Sequence, residues 1–203
     1  SGGEILIDKH KLTFGDYSYR SQRIRMIFQD SATSLNPRQR TGQILELPLM
    51  LNTDLDAAGR RLRINATLRQ VGLLPDHADY YPHMLASGQK QRVALARALI
   101  LQPEVIVADE ALASLDMSLR SQIINLILEL QETQKIAYIY VTQHLGMAKH
   151  VSDQILVMHN GEVVERGNTA EVLASPLHDV TRRLITSHFG EALSAEAWRQ
   201  DVD

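Results

Sequence analysis

The sequence predicts a mixed α/β fold, with a parallel sheet and a helical segment inserted in it. An apolar run at 105–108 is typical of a strand buried on both faces. An amphipathic helical pattern at 115–130 follows, and then a β-rich run at 136–141. Strand, helix and strand in this order favour parallel strands joined by a crossover helix. Helical periodicity between about 31 and 102 predicts the inserted segment.

The chain begins with short predicted strands. Residues 4–8 and 11–14 form an antiparallel pair joined by a polar turn, and a third strand at 24–28 ends at Gln29. We expect the helices of the inserted segment over 44–51, 57–71 and 89–101, with Gly72 ending the second and Pro103 ending the third. Near the C-terminus, Asn160-Gly161 predicts a β-hairpin between 155–158 and 162–165. Beyond Pro176 we expect a polar helical tail.

The composition excludes several classes of protein. The 203 residues are 44% hydrophobic and 22% charged, as in an ordinary soluble globular domain. A net charge of −3 argues against nucleic-acid binding, which normally requires a basic surface. The absence of cysteine excludes disulfides and thiolate metal sites and fits a reducing cytosol. No apolar run approaches the ~18 residues that span a bilayer, so we expect any membrane role to come through a partner.

Polar side chains follow the predicted strands. Asp109 and Glu110 come directly after the apolar run, at the end of a strand where open α/β sheets bind ligands. One carboxylate can hold Mg²⁺ and the other can orient an attacking water. His144 closes the next strand and can hydrogen-bond a phosphoryl group. Each of these residues, like Gln29, also has a plain interpretation as a solvated residue at a strand end.

A small turn precedes the third predicted helix. Ser87-Gly88-Gln89 offers backbone N–H groups, a hydroxyl and an amide at the positive end of a helix dipole, which predicts a phosphate site. Turns of this kind are also common without a ligand. Asp116, just before the long helix, is a typical N-cap residue.

In their order and spacing, these motifs resemble the ABC-transporter ATPase family. The resemblance covers Gly3 to about Leu173, and it implies a P-loop NTPase (RecA-like) parallel sheet with an α-helical subdomain. The motifs that carry it are Gln29, Leu85-Ala86-Ser87-Gly88-Gln89, the run from Val105 to Glu110, the run from Ala113 to Asp116, and His144.

The resemblance implies a role for each motif. Gln29 would be the Q-loop glutamine, which touches Mg²⁺ and the attacking water and senses the transport subunit. Asp109 would bind Mg²⁺, and Glu110 would be the general base. Asp116 would be the D-loop aspartate and His144 the switch histidine.

Leu85-Ala86-Ser87-Gly88-Gln89 would be the signature loop, which closes over ATP held by a second subunit in a head-to-tail dimer. The usual family sequence is Leu-Ser-Gly-Gly-Gln, so Ala86 and Ser87 displace its hydroxyl by one residue. A hydrogen bond to a charged group contributes about 1.5–3 kcal/mol. Our hypothesis is that this loop builds the weaker site of an asymmetric pair.

Four stretches of the sequence point to one branch of this family. Residues 34–38 and 175–178 are similar to the di/oligopeptide importer branch, and 84–86 and 109–116 to its Sap-type peptide-transport ATPases. This implies an ATP- and Mg²⁺-dependent subunit that energises transport of peptides or small cationic solutes at the cytoplasmic face of the bacterial inner membrane. The implied partners are a second ABC ATPase subunit in a homo- or heterodimer, transmembrane permease subunits and, indirectly, a solute-binding protein. No nucleic-acid partner is implied.

The resemblance also divides the chain. Residues 1–30 would be β-strands and the Q-loop of the core, and 31–102 the α-helical signature subdomain. Residues 103–175 would be the second part of the RecA-like core, with Walker B, D-loop and H-loop, and 176–203 a C-terminal helical tail.

One family motif has no match in the sequence. No Gly-x-x-x-x-Gly-Lys-Ser/Thr occurs among the eleven glycines. The family places this P-loop before Gly3, so we expect a chain truncated before Ser1, inactive by itself and prone to unfold or aggregate because neighbouring strands lack a partner. Two alternatives stay open: a non-hydrolytic partner that lends only its signature loop in trans, and an ABC ATPase without a permease, as in DNA maintenance.

Overall fold

The structure is a computed structural model that describes residues 3–7, 9–29, 34–113 and 115–189. The chain divides into two compact units, one ending at Val141 and the other beginning at Thr142. The part of the chain that is described contains no helix long and apolar enough to cross a bilayer.

The first unit contains, in chain order, β1 (Leu6–Ile7), β2 (His10–Lys11), α1 (Tyr17–Arg23), β3 (Ile24–Ile27), α2 (Thr41–Asn52), α3 (Ala57–Gln70), two 3-10 turns (Pro75–Asp79 and Pro82–Met84), α4 (Ser87–Leu99), β4 (Val105–Asp109), α5 (Met117–Gln134) and β5 (Ala137–Val141).

A parallel sheet of strand order β3-β4-β5 lies in the first unit. Because the strands are parallel, their carboxyl ends lie at one edge of the sheet. Helix α5 is the crossover between β4 and β5, and its buried face carries Ile123, Ile127 and Leu130. The predicted parallel sheet with a crossover helix is therefore confirmed. The outer edge of β5 has no strand beside it among the described residues.

The N-terminal strands β1 and β2 pair antiparallel, with Leu6 opposite Lys11. The predicted antiparallel piece is therefore present, although it is shorter than the sequence indicated. Helix α1 was not predicted. It buries none of its residues, so it leaves no apolar periodicity in the sequence.

The helices α2, α3 and α4 follow β3 and precede β4 in the sequence, and they pack against one another. Their contacts bury Leu45, Leu49, Leu68 and Leu99 almost completely. Gly72, with a φ of 72°, follows the end of α3 in the left-handed region, as its position predicted.

The second unit contains α6 (Leu145–Val151), β6 (Gln154–His159), β7 (Glu162–Asn168), α7 (Thr169–Ala174) and α8 (Asp179–Phe189). Strands β6 and β7 form the predicted hairpin, and its turn residues Asn160 and Gly161 have φ values of 50° and 84°. A small core joins the helices, with Leu145, Leu173 and Ile185 buried at its centre. Helix α8 accounts for the predicted helical tail up to residue 189, and residues 190–203 of that tail lie outside the described residues.

Candidate functional site

Asp109 and Glu110 lie at the carboxyl end of β4. Asp109 is the last residue of the strand and pairs with Val141 of β5. The N–H of Glu110 donates to the carbonyl oxygen of Val141 at 2.9 Å. Glu110 has a φ of 44°, in the left-handed region, where a non-glycine residue carries about 1–3 kcal/mol of strain. The bond to β5 and this conformation together fix the direction in which Glu110 leaves the sheet.

Gln29 follows β3, the strand directly beside β4. The register places Ile27 opposite Ala108, so Gln29 and Glu110 each come two residues beyond the same pair. Neighbouring strands lie about 4.8 Å apart, so these two residues leave the sheet at one place along its edge. Gln29 is exposed, and both acidic residues are half-buried. The structure therefore brings Gln29, Asp109 and Glu110 to a common edge of the sheet.

The oxygen donors at this edge fit one kind of metal site. Among the described residues, no three or more His, Asp or Glu side chains gather in a group that could hold an ion by themselves. Mg²⁺ keeps several waters and takes one or two carboxylates together with phosphate oxygens. Asp109 and Gln29 match that donor set. They fit Mg²⁺ bound together with a nucleotide better than a metal held by protein alone.

The residues from Ala86 to Gln89 form the start of α4. Ala86 is the N-cap residue, and Ser87 is the first residue of the helix. The sequence predicted a turn at Ser87 and Gly88 followed by a helix starting at Gln89. The structure corrects this expectation: Ser87 and Gly88 already belong to the helix, and the last extended residue before it is Ala86 (ψ 160°). Ala86 and Ser87 are exposed. The N–H groups of a first turn have no acceptor within the helix, so an anion can approach this end of α4.

The side chain of Gln89 is held by neighbouring protein groups. Its Oε1 accepts the N–H of Ala86 at 3.0 Å, and its Nε2 lies 3.2 Å from Nε2 of His77. Because the amide oxygen already accepts, the amide nitrogen is the donor to His77. The side chain of Gln89 thereby rigidifies the start of α4.

The starts of α4 and α5 lie against each other. A Cβ at Gly88 would come within 2.8 Å of Cδ1 of Leu119, so this close approach needs glycine. Asp116 is the N-cap of α5, and its Oδ1 accepts the N–H of Leu119 at 2.9 Å. The predicted helix cap is confirmed. The D-loop role of Asp116 stays a prediction.

Two residues that sequence reasoning missed hold the loop after β4. Gln91 is 4% exposed and donates from Nε2 to the carbonyl oxygen of Ala111 at 2.9 Å. Arg120 donates from Nη2 to the carbonyl oxygens of Ala113 and Leu115 at 3.2 and 2.9 Å. The sequence does carry a signal for Gln91, since this polar residue occupies a position on the buried face of an amphipathic helix. These bonds tie α4 and α5 to the segment that begins at Glu110.

His144 belongs to the second unit, where it precedes α6 as its N-cap residue. Its N–H donates to Oγ1 of Thr142 at 3.1 Å. Its ring is half-buried and lies 6.1 Å from the ring of His188, at an angle of 63°. In sequence it comes three residues after β5, and its contact with a phosphoryl group stays a prediction.

The comparison with known proteins decides the family. The ABC transporter family model matches residues 1–113, more than half of the chain. This chain belongs to the ABC transporter family. The predicted family, and with it the ATP-binding and ATP-hydrolysing class of activity, is confirmed.

Proteins similar in sequence to this chain are also named as ATP-binding proteins of transport systems. The "Putrescine export system ATP-binding protein SapF" of Escherichia coli K12 and the "Peptide transport system ATP-binding protein SapF" of Salmonella typhimurium LT2 are each 74% identical over 201 residues. The match covers 99% of this chain and 75% of each relative. The "Dipeptide transport ATP-binding protein DppF" of Escherichia coli K12 is 38% identical over 190 residues, which is 92% of this chain and 57% of that protein.

Solved ABC structures confirm the fold. The ATP-binding cassette MJ0796, in a dimeric post-hydrolysis state with ADP and Pi, superposes with a TM-score of 0.70 at 29% identity and covers 83% of this chain and 74% of its own. CbiO1 from Clostridium perfringens, part of the CbiONQ transporter complex, has a TM-score of 0.76 at 29% identity, with 93% and 74% covered. The predicted P-loop NTPase-type α/β fold is therefore confirmed.

Proposed function

We propose that this ABC protein binds and hydrolyses ATP to energise transport of peptides or small cationic solutes at the cytoplasmic face of a bacterial inner membrane. The observation that carries the proposal is the meeting of Gln29, Asp109 and Glu110 at one edge of the parallel sheet. The relatives support both cargo classes, since one SapF is named for putrescine, a small cation, and the other for peptides.

Glu110 is the general base of the proposed reaction. Its carboxylate takes a proton from water as that water attacks the γ-phosphate in line, and a positioned base contributes typically ~10²–10⁴-fold. Gln29, on the neighbouring strand, orients the same water. Asp109 and Gln29 would hold Mg²⁺, which would supply positive charge to neutralise the phosphates. The family resemblance assigns His144 the role of switch histidine, and its hydrogen bond to the γ-phosphate stays a prediction.

The start of α4 acts on ATP held by another subunit. The helix is 13 residues long and its first turn, with Ser87 and Gly88, is open to an approaching anion. We therefore propose a second ABC ATPase subunit, identical or homologous, as the direct partner, with Asp116 near the contact. Transmembrane permeases and, indirectly, a solute-binding protein complete the assembly. The division into 1–30, 31–102, 103–175 and 176–203 stays part of this proposal.

The test is ATP hydrolysis by the assembled transporter with Glu110→Gln in this subunit. We expect hydrolysis to fall at least about a hundredfold while ATP binding persists, because only the base is lost. Glu162→Gln, an exposed change in the hairpin, is the matched control and should leave the rate unaltered.

A normal rate in the Glu110→Gln transporter would refute hydrolysis by this subunit. If Ser87→Asp, an exposed change in the first turn of α4, abolished activity in the same assay, the subunit would be a non-hydrolytic partner that supplies only its signature loop.

A further inference from the structure

The start of α4 lacks the side-chain cap that α3 and α5 have. At those two helices the N-cap residues Asp56 and Asp116 each accept a backbone N–H of the first turn with a side-chain oxygen. The N-cap of α4 is Ala86, whose methyl group cannot accept a hydrogen bond. Gln89 holds this helix end instead, because its Oε1 accepts the N–H of Ala86 at 3.0 Å. The geometry of the proposed signature loop therefore depends on what orients the side chain of Gln89.

The ring of His77 orients that side chain. Nε2 of Gln89 lies 3.2 Å from Nε2 of His77. An amide nitrogen donates but does not accept, so the ring nitrogen must be the acceptor and must carry no hydrogen. If the amide were turned the other way, its NH₂ group would face the N–H of Ala86, and two donors would oppose each other. The bond to His77 thereby selects the orientation in which Gln89 holds Ala86.

The other ring nitrogen of His77 lies beside two backbone groups. Nδ1 is 3.1 Å from the carbonyl oxygen of Leu74 and 2.9 Å from its nitrogen. A neutral imidazole carries one hydrogen, on either nitrogen. With the hydrogen on Nδ1, the ring donates to the carbonyl of Leu74 and accepts from Gln89. With the hydrogen on Nε2, it would accept from the N–H of Leu74 but oppose the amide group of Gln89. The first tautomer satisfies more of the groups around the ring.

The ring of His77 is itself held in place by the fold. His77 lies in the first 3-10 turn, is half-buried, and packs edge-on against the ring of Tyr80, with the centroids 5.2 Å apart at an angle of 69°. The carbonyl oxygen of Tyr80 accepts the N–H and the hydroxyl of the buried Thr41, at 2.9 and 3.0 Å. These contacts join the turn to α2, so His77 presents its acceptor to Gln89 from a fixed position.

We propose that His77 is a positioning residue for the signature loop. As a neutral imidazole with its hydrogen on Nδ1, it accepts from Gln89, and Gln89 in turn holds the N–H of Ala86 so that α4 begins at Ser87. This chain of bonds fixes the direction of the N–H groups that follow in the first turn. Its effect on hydrolysis rests on the proposed function, in which those groups act on ATP held by a second subunit. The tautomer and the hydrogen bonds do not.

The first test is spectroscopic and uses the whole protein without nucleotide, with ¹⁵N-labelled histidine at mildly alkaline pH. We expect the hydrogen of His77 on Nδ1. Gln89→Glu, whose carboxylate can only accept, should move it to Nε2, because Nδ1 then accepts the N–H of Leu74. The exposed His83 is the control and should not respond. Hydrogen on Nε2 of His77 in the unchanged protein, or the same tautomer in both proteins, would overturn the proposal.

Replacement of His77 separates its two ends. The amide oxygen of glutamine reaches about as far as Nε2 and that of asparagine about as far as Nδ1, so His77→Gln can still accept from Gln89 whereas His77→Asn cannot. Hydrogen exchange of the Ala86 amide should stay slow in His77→Gln and become about two- to tenfold faster in His77→Asn, as expected for one neutral hydrogen bond. Equal exchange in the two variants would show that the ring acts only on its own turn, and the proposal would be wrong.

ATP hydrolysis by the assembled transporter separates this inference from the proposed function. His77→Asn should hydrolyse about two- to tenfold more slowly than His77→Gln, which should match the unchanged protein. If Glu110→Gln stops hydrolysis but the two His77 variants are equally active, His77 does not position the loop and the proposed function stands. If Glu110→Gln has no effect, the proposed function fails, and exchange of the Ala86 amide still decides whether His77 holds the start of α4.

Discussion

Glu165 is a buried carboxylate that joins β7 to the start of α8. Its Oε1 accepts the N–H of Leu177 at 2.8 Å, and its Oε2 accepts the N–H of His178 at 3.0 Å and the hydroxyl of Thr181. Glu165→Gln keeps the shape of the side chain but replaces one oxygen with an NH₂ group, which cannot accept a hydrogen bond. The variant therefore isolates the contribution of the carboxylate to the second unit.

The expected cost follows from these bonds. The least damaging orientation turns the NH₂ group toward Leu177, so one charge-assisted bond is lost and one buried N–H faces another donor. A hydrogen bond to a charged group contributes about 1.5–3 kcal/mol, and the bonds that remain weaken when the charge is removed. We expect the free energy of unfolding to fall by about 2–4 kcal/mol.

The same bonds set the pH dependence. Burial acts to raise the pKa of Glu165, but the bonds from Leu177, Thr181 and His178 outweigh it and hold the pKa below its ordinary value of 4.5. A carboxylate with a lowered pKa in the folded state stabilises above its unfolded pKa, and this stabilisation is lost as pH falls through the folded pKa. The difference between the unchanged protein and Glu165→Gln should therefore be largest at neutral pH and shrink below pH 4.5.

Urea unfolding at neutral and acidic pH, with hydrogen exchange of the α8 amides as the local readout, measures both quantities. Glu162→Gln, an exposed change on the same strand, is the control and should shift stability by less than about 0.5 kcal/mol. If Glu165→Gln matched that control at neutral pH, or if its effect did not change with pH, the reasoning from these hydrogen bonds would be wrong.

Three further stability changes follow, each measurable by denaturant unfolding. Gly72→Ala should cost about 1–3 kcal/mol, since φ is 72° and a Cβ would lie 2.7 Å from Nη1 of Arg92; no loss would contradict the left-handed backbone. Gln91→Leu should cost about 1–3 kcal/mol by leaving the carbonyl of Ala111 unsatisfied, and a neutral result would argue against that bond. Tyr138→Phe should stabilise by about 1–3 kcal/mol, because its buried hydroxyl has no partner; destabilisation would reveal one.

Elements with a strong local pattern could be predicted from sequence. The Asn160-Gly161 hairpin, the end of α3 at Gly72 and the alternation of β4, α5 and β5 each follow from periodicity or turn chemistry. Helix α1 could not be predicted, because it buries no residue and, apart from Tyr17 and Tyr19, its side chains are all polar. Helix α4 begins two residues before the start predicted at Gln89, since Ser87 and Gly88 have weak helix propensity and the contact of Gly88 with α5 is a tertiary feature.

The candidate site also has features that could be predicted from sequence and features that could not. The positions of Gln29, Asp109 and Glu110 could be predicted, because residues that end parallel strands share one edge of the sheet. The bond from Gln91 to the loop after Glu110, and the contact of Gln89 with His77, depend on which elements pack together. Local sequence carries no information about such distant neighbours.

The left-handed backbone at Glu110 has a consequence for engineering this protein. Glycine or asparagine would adopt a φ of 44° more comfortably than glutamate, so a screen that rewards only heat resistance would select against the residue proposed as the base. Thermostable variants should therefore be sought elsewhere in the chain. At Glu110, the backbone conformation that directs the carboxylate also destabilises the folded protein. The proposed reaction requires that the protein retain this strained conformation.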